Sequence, residues 1–294
     1  MKPASFDHLA PTSLDEALAM LDAHGPDARV LAGGQSLVPM MNFRLARPAV
    51  LVDLNRIAGL AYIRDEGDSL AIGAMTRERA IENSDLVRVA APLLHEATTH
   101  IGHLPIRTRG TIGGSLANAD PAAEYPATML ALDATMIARS VRGERRIPAA
   151  GFFDGVMTTT LAPDEILTAI AVPKAPPGSG WAFVELSRRH GDFALAGVAA
   201  QIACAGDALT DIRLAACGAG PGPVRLKDAE AAVRAGFRNG GLSGDALDAA
   251  ARAAAAEVDP DGDAHATAAY RRKLAGVMTR RALEKALGRA RGAA

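Results

Sequence analysis

Residues 30–37 read Val30-Leu31-Ala32-Gly33-Gly34-Gln35-Ser36-Leu37, and residues 111–118 read Thr111-Ile112-Gly113-Gly114-Ser115-Leu116-Ala117-Asn118. Each sets a glycine pair beside hydroxyls, and the first follows Arg29-Val30-Leu31, which reads as a short strand. Glycine admits positive φ and lets a ligand approach the backbone. Successive N–H groups in such turns form concave anion sites. Taken singly, either segment is equally a tight strand-to-helix turn. Two in one chain suit a diphosphate, with N–H and O–H donors replacing its water.

Outward from these turns the chain reads as α+β. Ser13-Leu14-Asp15-Glu16 fits a capping box, with Leu14, Ala17, Leu18 and Leu21 at helical spacing and Gly25 as a stop. Residues 36–45 hold one or two helical turns around Pro39, and residues 49–54 form a second buried strand. Leu70-Ala71-Ile72-Gly73 begins another strand, and residues 76–101 are mostly helical, broken near Asn83-Ser84 and Pro92. Residues 125–132 read as helix, 135–139 and 144–147 as a hairpin, and 166–172 as a strand. Pro173 to Gly180 is a Pro/Gly linker and is expected to mark a domain boundary. Beyond it, residues 181–187, 196–204 and 209–217 carry strand signals, the last two paired through Ala205-Gly206-Asp207. From Arg225 the chain is Ala-rich and helical, ending in a long helix over about 265–287.

Composition excludes several functions. Lys+Arg 32 against Asp+Glu 33 leaves a formal charge of −1, no footprint for nucleic acid or an anionic membrane surface. Aromatic residues are 4%, too few for single-strand stacking platforms. No apolar run approaches the ~18 residues of a membrane span. The N-terminus, broken by Pro3, Asp7 and Pro11, does not read as a signal peptide. Cys204 and Cys217 encode neither a disulfide framework nor a zinc or iron–sulfur site, and a reducing cytoplasm is the expected compartment. Gly218-Ala219-Gly220-Pro221-Gly222-Pro223 has Pro223 where a dinucleotide fingerprint needs its third glycine, so it reads as a strand-end turn. The first glycine turn lacks the lysine of a P-loop. No G-x-S-x-G is present. His95, His100 and His103 are not at metal-ligand spacing, because H-E-x-x-H puts its histidines on one helical face and these are turned apart. No catalytic residue and no metal ligand is expected in this chain.

The segment 32–45, Ala-Gly-Gly-Gln-Ser-Leu-Val-Pro-Met-Met-Asn-Phe-Arg-Leu, resembles the first flavin segment of the FAD-binding medium subunit of molybdenum hydroxylases, the group of carbon monoxide, nicotine and xanthine dehydrogenases. Thr111-Ile112-Gly113-Gly114-Ser115-Leu116-Ala117 resembles its second segment, followed by Asp120-Pro121-Ala122-Ala123-Glu124. Arg188-Arg189-His190-Gly191-Asp192-Phe193-Ala194 resembles its third. The similarity runs over nearly the whole chain.

The resemblance implies a two-subdomain PCMH-type FAD-binding domain over 1–176, divided at about 57/58, and a C-terminal domain over 177–294 with a small antiparallel sheet and a helical bundle. It implies that residues 30–37 and 111–115 wrap the pyrophosphate and ribityl chain. Ile101 would lie near the flavin, and Asn118 and Glu124 would face phosphate and ribose, a carboxylate suiting ribose hydroxyls. Leu167 would pack near a ring of the cofactor, and Asp192 and Phe193 would approach the isoalloxazine. Two departures stand out. Glu124 occupies a position where many relatives carry Asp, and Gln35 one where carbon monoxide dehydrogenases tend to carry His, which speaks against that substrate. Non-covalent FAD is implied here, with the molybdenum cofactor in a large subunit and 2Fe–2S clusters in a small one, in a dimer of heterotrimers. The competing readings are a free-standing flavoprotein oxidase or reductase of this fold, and a scaffold subunit whose glycine turns are merely structural.

Overall fold

The computed structural model describes residues 2–292; Met1, Ala293 and Ala294, outermost in the two expected domains, lie outside the described residues. The chain builds three packed units. The first runs β1 (Asp7–Leu9), α1 (Leu14–His24), β2 (Ala28–Leu31), α2 (Leu37–Asn42) and β3 (Val50–Asp53). Its three strands lie in the order β1-β3-β2 and both pairings are parallel, Leu31 standing opposite Asp53. Parallel neighbours need crossover connections, which α1 and α2 supply. The Ser13 hydroxyl caps α1 by accepting from Glu16 N–H at 3.2 Å. The Glu16 carboxylate reaches one residue further back than a capping box requires, to Thr12 N–H at 2.8 Å. Pro39 is tolerated in α2 because it falls in the first turn, where its missing N–H has no helical acceptor.

The second unit comprises β4 (Ile63–Asp65), β5 (Ser69–Gly73), helices α3 (Glu78–Glu82), α4 (Asp85–Ala90), α5 (Pro92–His100), α6 (Leu104–Arg109), α7 (Ile112–Asn118) and α8 (Glu124–Ala131), and strands β6 (Thr135–Ser140), β7 (Gly143–Pro148), β8 (Phe153–Gly155), β9 (Thr158–Thr159) and β10 (Ile166–Pro173). A five-stranded antiparallel sheet in the order β4-β5-β10-β6-β7 backs the helices. Tyr125 in α8 is fully buried, and its hydroxyl shares a 3.0 Å hydrogen bond with Thr98, so the one polar atom of a large apolar side chain is satisfied.

The third unit comprises β11 (Ser179–Ser187), β12 (Ala194–Ala205), β13 (Ala208–Cys217), β14 (Val224–Arg225), α9 (Lys227–Gly236), β15 (Phe237–Arg238), β16 (Gly241–Leu242), α10 (Gly244–Glu257) and α11 (Ala268–Ala290). The sheet β11-β12-β13-β14 is covered on both faces. Alternate residues Val198, Ala200 and Ile202 pack on the helices α9–α11, while Ala199 belongs with Phe183, Ala215 and Cys217 to the core of the second unit. That two-sided burial explains the small apolar run of β12, interrupted only by the buried Gln201 and without polar/apolar alternation. The hydrophobic core therefore runs across the Pro/Gly linker rather than stopping at it. Glu96 of α5 pairs with Arg289 and Lys285 of α11, and Arg289 also donates to Trp181 O at 2.7 Å. The small β15–β16 hairpin lies within the stretch from Arg225 that the alanine-rich sequence presents as helical.

Candidate functional site

The first glycine turn sits at the carboxyl end of β2, the edge where parallel sheets characteristically receive ligands. Its carbonyls are held by side chains. Asn55 Nδ2 donates to Ala32 O at 2.9 Å, and Gln35 Nε2 donates to Gly33 O at 3.1 Å. Gly34 adopts φ +72°, a left-handed conformation that a residue with a Cβ resists. Val38 N–H then bonds Gly34 O at 3.2 Å and starts α2, whose preceding Ser36 hydroxyl makes no capping bond. Among the described residues, the N–H groups of Gly33, Gly34, Gln35, Ser36 and Leu37 donate to no protein acceptor. Five consecutive donors are thus left for a ligand, as an anion-binding nest requires.

The second turn is built differently. Thr111 is the N-cap of α7, and its side-chain oxygen accepts from Gly114 N–H at 3.1 Å. Ile112 N–H bonds Thr76 O, Gly113 N–H bonds Ala74 O and Ser115 N–H bonds Thr111 O. The expectation of two open nests is therefore corrected to one. The carbonyls of residues 74 and 76 take two of its donors, an approach that no local spacing reveals, and Thr111 takes the other two. What this turn offers is a close-packed glycine surface and the Ser115 hydroxyl.

The two turns meet. A Cβ on Gly33 would overlap the Arg109 carbonyl oxygen and lie 2.9 Å from Gly110 Cα. A Cβ on Gly114 would lie 3.4 Å from Ala32 Cβ and 4.0 Å from Gly33 N. Arg77 spans the junction, donating to Asn55 Oδ1 at 2.6 Å and to the Arg109 carbonyl. Burial, then the like charge of Arg109, holds the Arg77 pKa below the ordinary arginine value. Glu78 N–H bonds Gly110 O at 3.0 Å, and the Glu78 carboxyl lies against Gly110 with Oε2 buried and unpartnered. Burial pushes that carboxyl up to about 7.

The remaining expected residues divide into two groups. Glu124, 5% exposed at the start of α8, has no side-chain partner among other described residues; burial, reinforced by the charge of Glu185, raises its pKa to about 8. Asn118 ends α7, half-buried, and its side chain makes no protein hydrogen bond among the described residues. Gly191 stacks on His103 and Gly102, bringing the turn 188–193 of the third unit beside Ile101. Phe193 is 61% exposed there, and Asp192 N–H closes the turn on Arg189 O at 3.0 Å while its carboxylate binds nothing among the described residues. Ile101 and Leu167, by contrast, are core residues, 8% and 5% exposed. The histidines act separately: His95 bonds Glu82 O at 2.9 Å, and His100 lies 3.4 Å from Glu185. Sequence reading missed Asn55, Arg77, Glu78 and Arg109. The only local signal was the polar pair Asp53 and Asn55 closing an apolar strand.

The class of protein this geometry defines is one that presents backbone N–H groups to an anion from the edge of a parallel sheet. Residues 4–175 match the family model described as FAD binding domain in molybdopterin dehydrogenase, and residues 181–286 match CO dehydrogenase flavoprotein C-terminal domain. The chain is 43% identical over 292 residues to the 6-hydroxypseudooxynicotine dehydrogenase complex subunit alpha of Paenarthrobacter nicotinovorans, covering 99% of this chain and 97% of that one. It is 42% identical over 291 residues to caffeine dehydrogenase subunit beta of Pseudomonas sp. (strain CBB1), covering 98% and 97%. Its fold superimposes on a chain of the carbon monoxide dehydrogenase of Hydrogenophaga pseudoflava with a TM-score of 0.94 at 41% identity, covering 98% and 99%. The chain belongs to the family of FAD-binding medium subunits of molybdenum hydroxylases. The residues present fit FAD: a row of five N–H donors without a protein acceptor would suit a pyrophosphate, and the Glu124 carboxyl, bonded by no other described residue, would suit a ribose or ribityl hydroxyl. Among the described residues no helix is long and apolar enough to cross a membrane.

Proposed function

We propose that this chain is the FAD-carrying medium subunit of a molybdenum-containing hydroxylase, an oxidoreductase complex in which a large subunit holds the molybdenum cofactor and a small subunit holds 2Fe–2S clusters. Bound FAD supplies a centre that accepts electrons singly and releases them in pairs to an external acceptor. The chain's own residues bind and orient. Gly33, Gly34, Gln35, Ser36 and Leu37 hold the pyrophosphate by backbone N–H groups. Val30, Leu31 and Ala32 carry that turn out of the sheet. Thr111, Ile112, Gly113 and Gly114 close against it, and Ser115 adds a hydroxyl. Asn118 and Glu124 serve the ribose side. Ile101 and Leu167 form the apolar wall behind the cofactor, and Asp192 and Phe193 cover its redox end from the third unit.

The observation that carries this reading is the open row of N–H groups, closed over by the second glycine turn, in a chain that matches medium chains from end to end. A division into an FAD-binding domain over 1–176, with subdomains meeting near 57/58, and a C-terminal domain over 177–294 accords with the two matched stretches. A cytoplasmic dimer of heterotrimers is the assembly we assign. The test is purification of the full chain alone and with its genomic neighbours. The expected results are one dissociable FAD per chain, no stoichiometric metal on the isolated chain, and molybdenum and iron in the complex. A chain that neither purifies with flavin nor binds added FAD overturns the reading.

A further inference from the structure

The peptide linking Ala32 to Gly33 has its carbonyl held and its N–H free. A planar trans peptide points C=O and N–H in opposite directions, so a bond that fixes one aims the other. Asn55 is the residue that fixes it, at 2.9 Å. Gln35 treats the next peptide alike, holding Gly33 O and leaving Gly34 N–H free.

The Asn55 amide is itself locked. Its Oδ1 accepts from Arg77 at 2.6 Å, and a guanidinium can only donate, so Nδ2 must be the atom facing Ala32 O. Asp53 Oδ1 accepts from Asn55 N–H at 2.9 Å and from the Asn55 amide, and Asp53 Oδ2 lies 3.1 Å from His8 Nε2. The second nitrogen of Arg77 donates to the Arg109 carbonyl, the same carbonyl that packs on Gly33. One guanidinium thus holds both turns, one of them through Asn55. Asn55 lies on the surface, where a side chain ordinarily matters little to folding.

We propose that Asn55 and Arg77 are positioning residues for the pyrophosphate: Asn55 aims the Gly33 N–H into the cleft, and Arg77 sets both the Asn55 amide and the separation of the two turns. The inference rests on the FAD reading and adds the device that makes the nest rigid before the ligand arrives. Rigidity of this kind increases affinity by removing the ordering cost from binding.

The experiment uses the full-length chain stripped of flavin, with FAD affinity read by fluorescence titration and ADP affinity by competition. Asn55→Asp keeps the shape but loses the donor to Ala32 O and to Asp53 Oδ1. It is expected to weaken FAD and ADP by the same factor, about tenfold or more, the scale of one lost hydrogen bond to a charged group. The urea midpoint of the flavin-free chain is expected to fall, because two carboxylates then face each other, so Asn55→Ala, which adds no charge beside Asp53, is expected to weaken both ligands likewise with the midpoint near native. Asn55→Ala and Arg77→Met combined are expected to weaken binding by less than the product of the single effects, because both break one chain of bonds. Should Asn55→Asp fail to fold, Arg77→Lys decides, since lysine lacks the planar fork that sets the spacing of the two acceptors and is expected to bind FAD more weakly than the native chain. FAD affinity within twofold of native in the folded variant, a loss for FAD without one for ADP, or fully multiplicative effects would each overturn the proposal. Failure of the native chain to bind FAD would overturn the underlying reading instead.

Discussion

Replacing Gly33 by alanine adds one methyl group where two backbone segments touch. That methyl would overlap the Arg109 carbonyl oxygen and lie 2.9 Å from Gly110 Cα and 3.0 Å from Arg109 C. Carbon atoms rest about 3.5–4.0 Å apart, and both neighbours are backbone, so no rotamer change makes room. The turns must part by roughly 0.5–1 Å. Overpacking of this kind costs about 1–3 kcal/mol. In the free chain much of that strain relaxes as the turns separate. Binding asks for it back, because a pyrophosphate needs its donors at about 2.7–3.2 Å. Charged to the bound state, the same energy raises the FAD dissociation constant roughly 5- to 150-fold. The assay is fluorescence titration of FAD into Gly33→Ala, with urea unfolding alongside. Gly59→Ala is the control, since a Cβ there meets nothing within 4 Å and φ is not left-handed. A Gly33→Ala chain that binds FAD with the native constant at one per chain would refute the reasoning, because the turns would then not act together.

Gly114→Val places a Cβ 2.8 Å from the Thr111 Oγ1 that caps α7 and 3.4 Å from Ala32 Cβ, and the variant is expected to purify largely without flavin. Glu124 and Glu78, raised to about 8 and about 7 mainly by burial, bind protons in the fold that the unfolded chain releases near its ordinary carboxyl range. The stability they add is whole below about pH 4.5 and is lost as pH rises through the raised values. Glu124→Gln is therefore expected to come close to the native unfolding free energy, read from urea curves, at pH 5 and to exceed it at pH 8.5, by at most ~5 kcal/mol at about 1.4 kcal/mol for each pH unit of the interval; parallel pH profiles would sink this account. Asp192→Ala removes a negative charge beside the expected redox end and should raise the flavin potential by roughly 10–20 mV, given an exposed and screened carboxylate, with FAD content near native. An unchanged potential would place Asp192 away from the ring.

By itself the sequence determined the glycine turns, the order of the principal elements and the absence of a nucleophile or metal-ligand motif. These are local matters. A glycine pair after a strand, a capping serine and helical spacing are each decided within a few residues, where side-chain sterics and hydrogen-bonding capacity act directly. Resemblance over the motifs at 32–45, 111–117 and 188–194 added the family, which the comparisons bear out. Tertiary structure alone decided which of the two turns is open. Thr111-Ile112-Gly113-Gly114-Ser115 looks as donor-rich as Gly33-Gly34-Gln35-Ser36, but the carbonyls of Ala74 and Thr76 arrive from 39 and 36 residues upstream and take the N–H groups of Gly113 and Ile112, while Thr111 takes the next two. It also decided that Asn55 and Arg77 serve the first turn, through bonds to Ala32 and Arg109 over separations of 23 and 32 residues. The reason is physical. A backbone donor is free or filled according to which acceptor the whole fold brings within about 3 Å, and that proximity is set by the packing of sheets and helices, not by the residues that flank the donor.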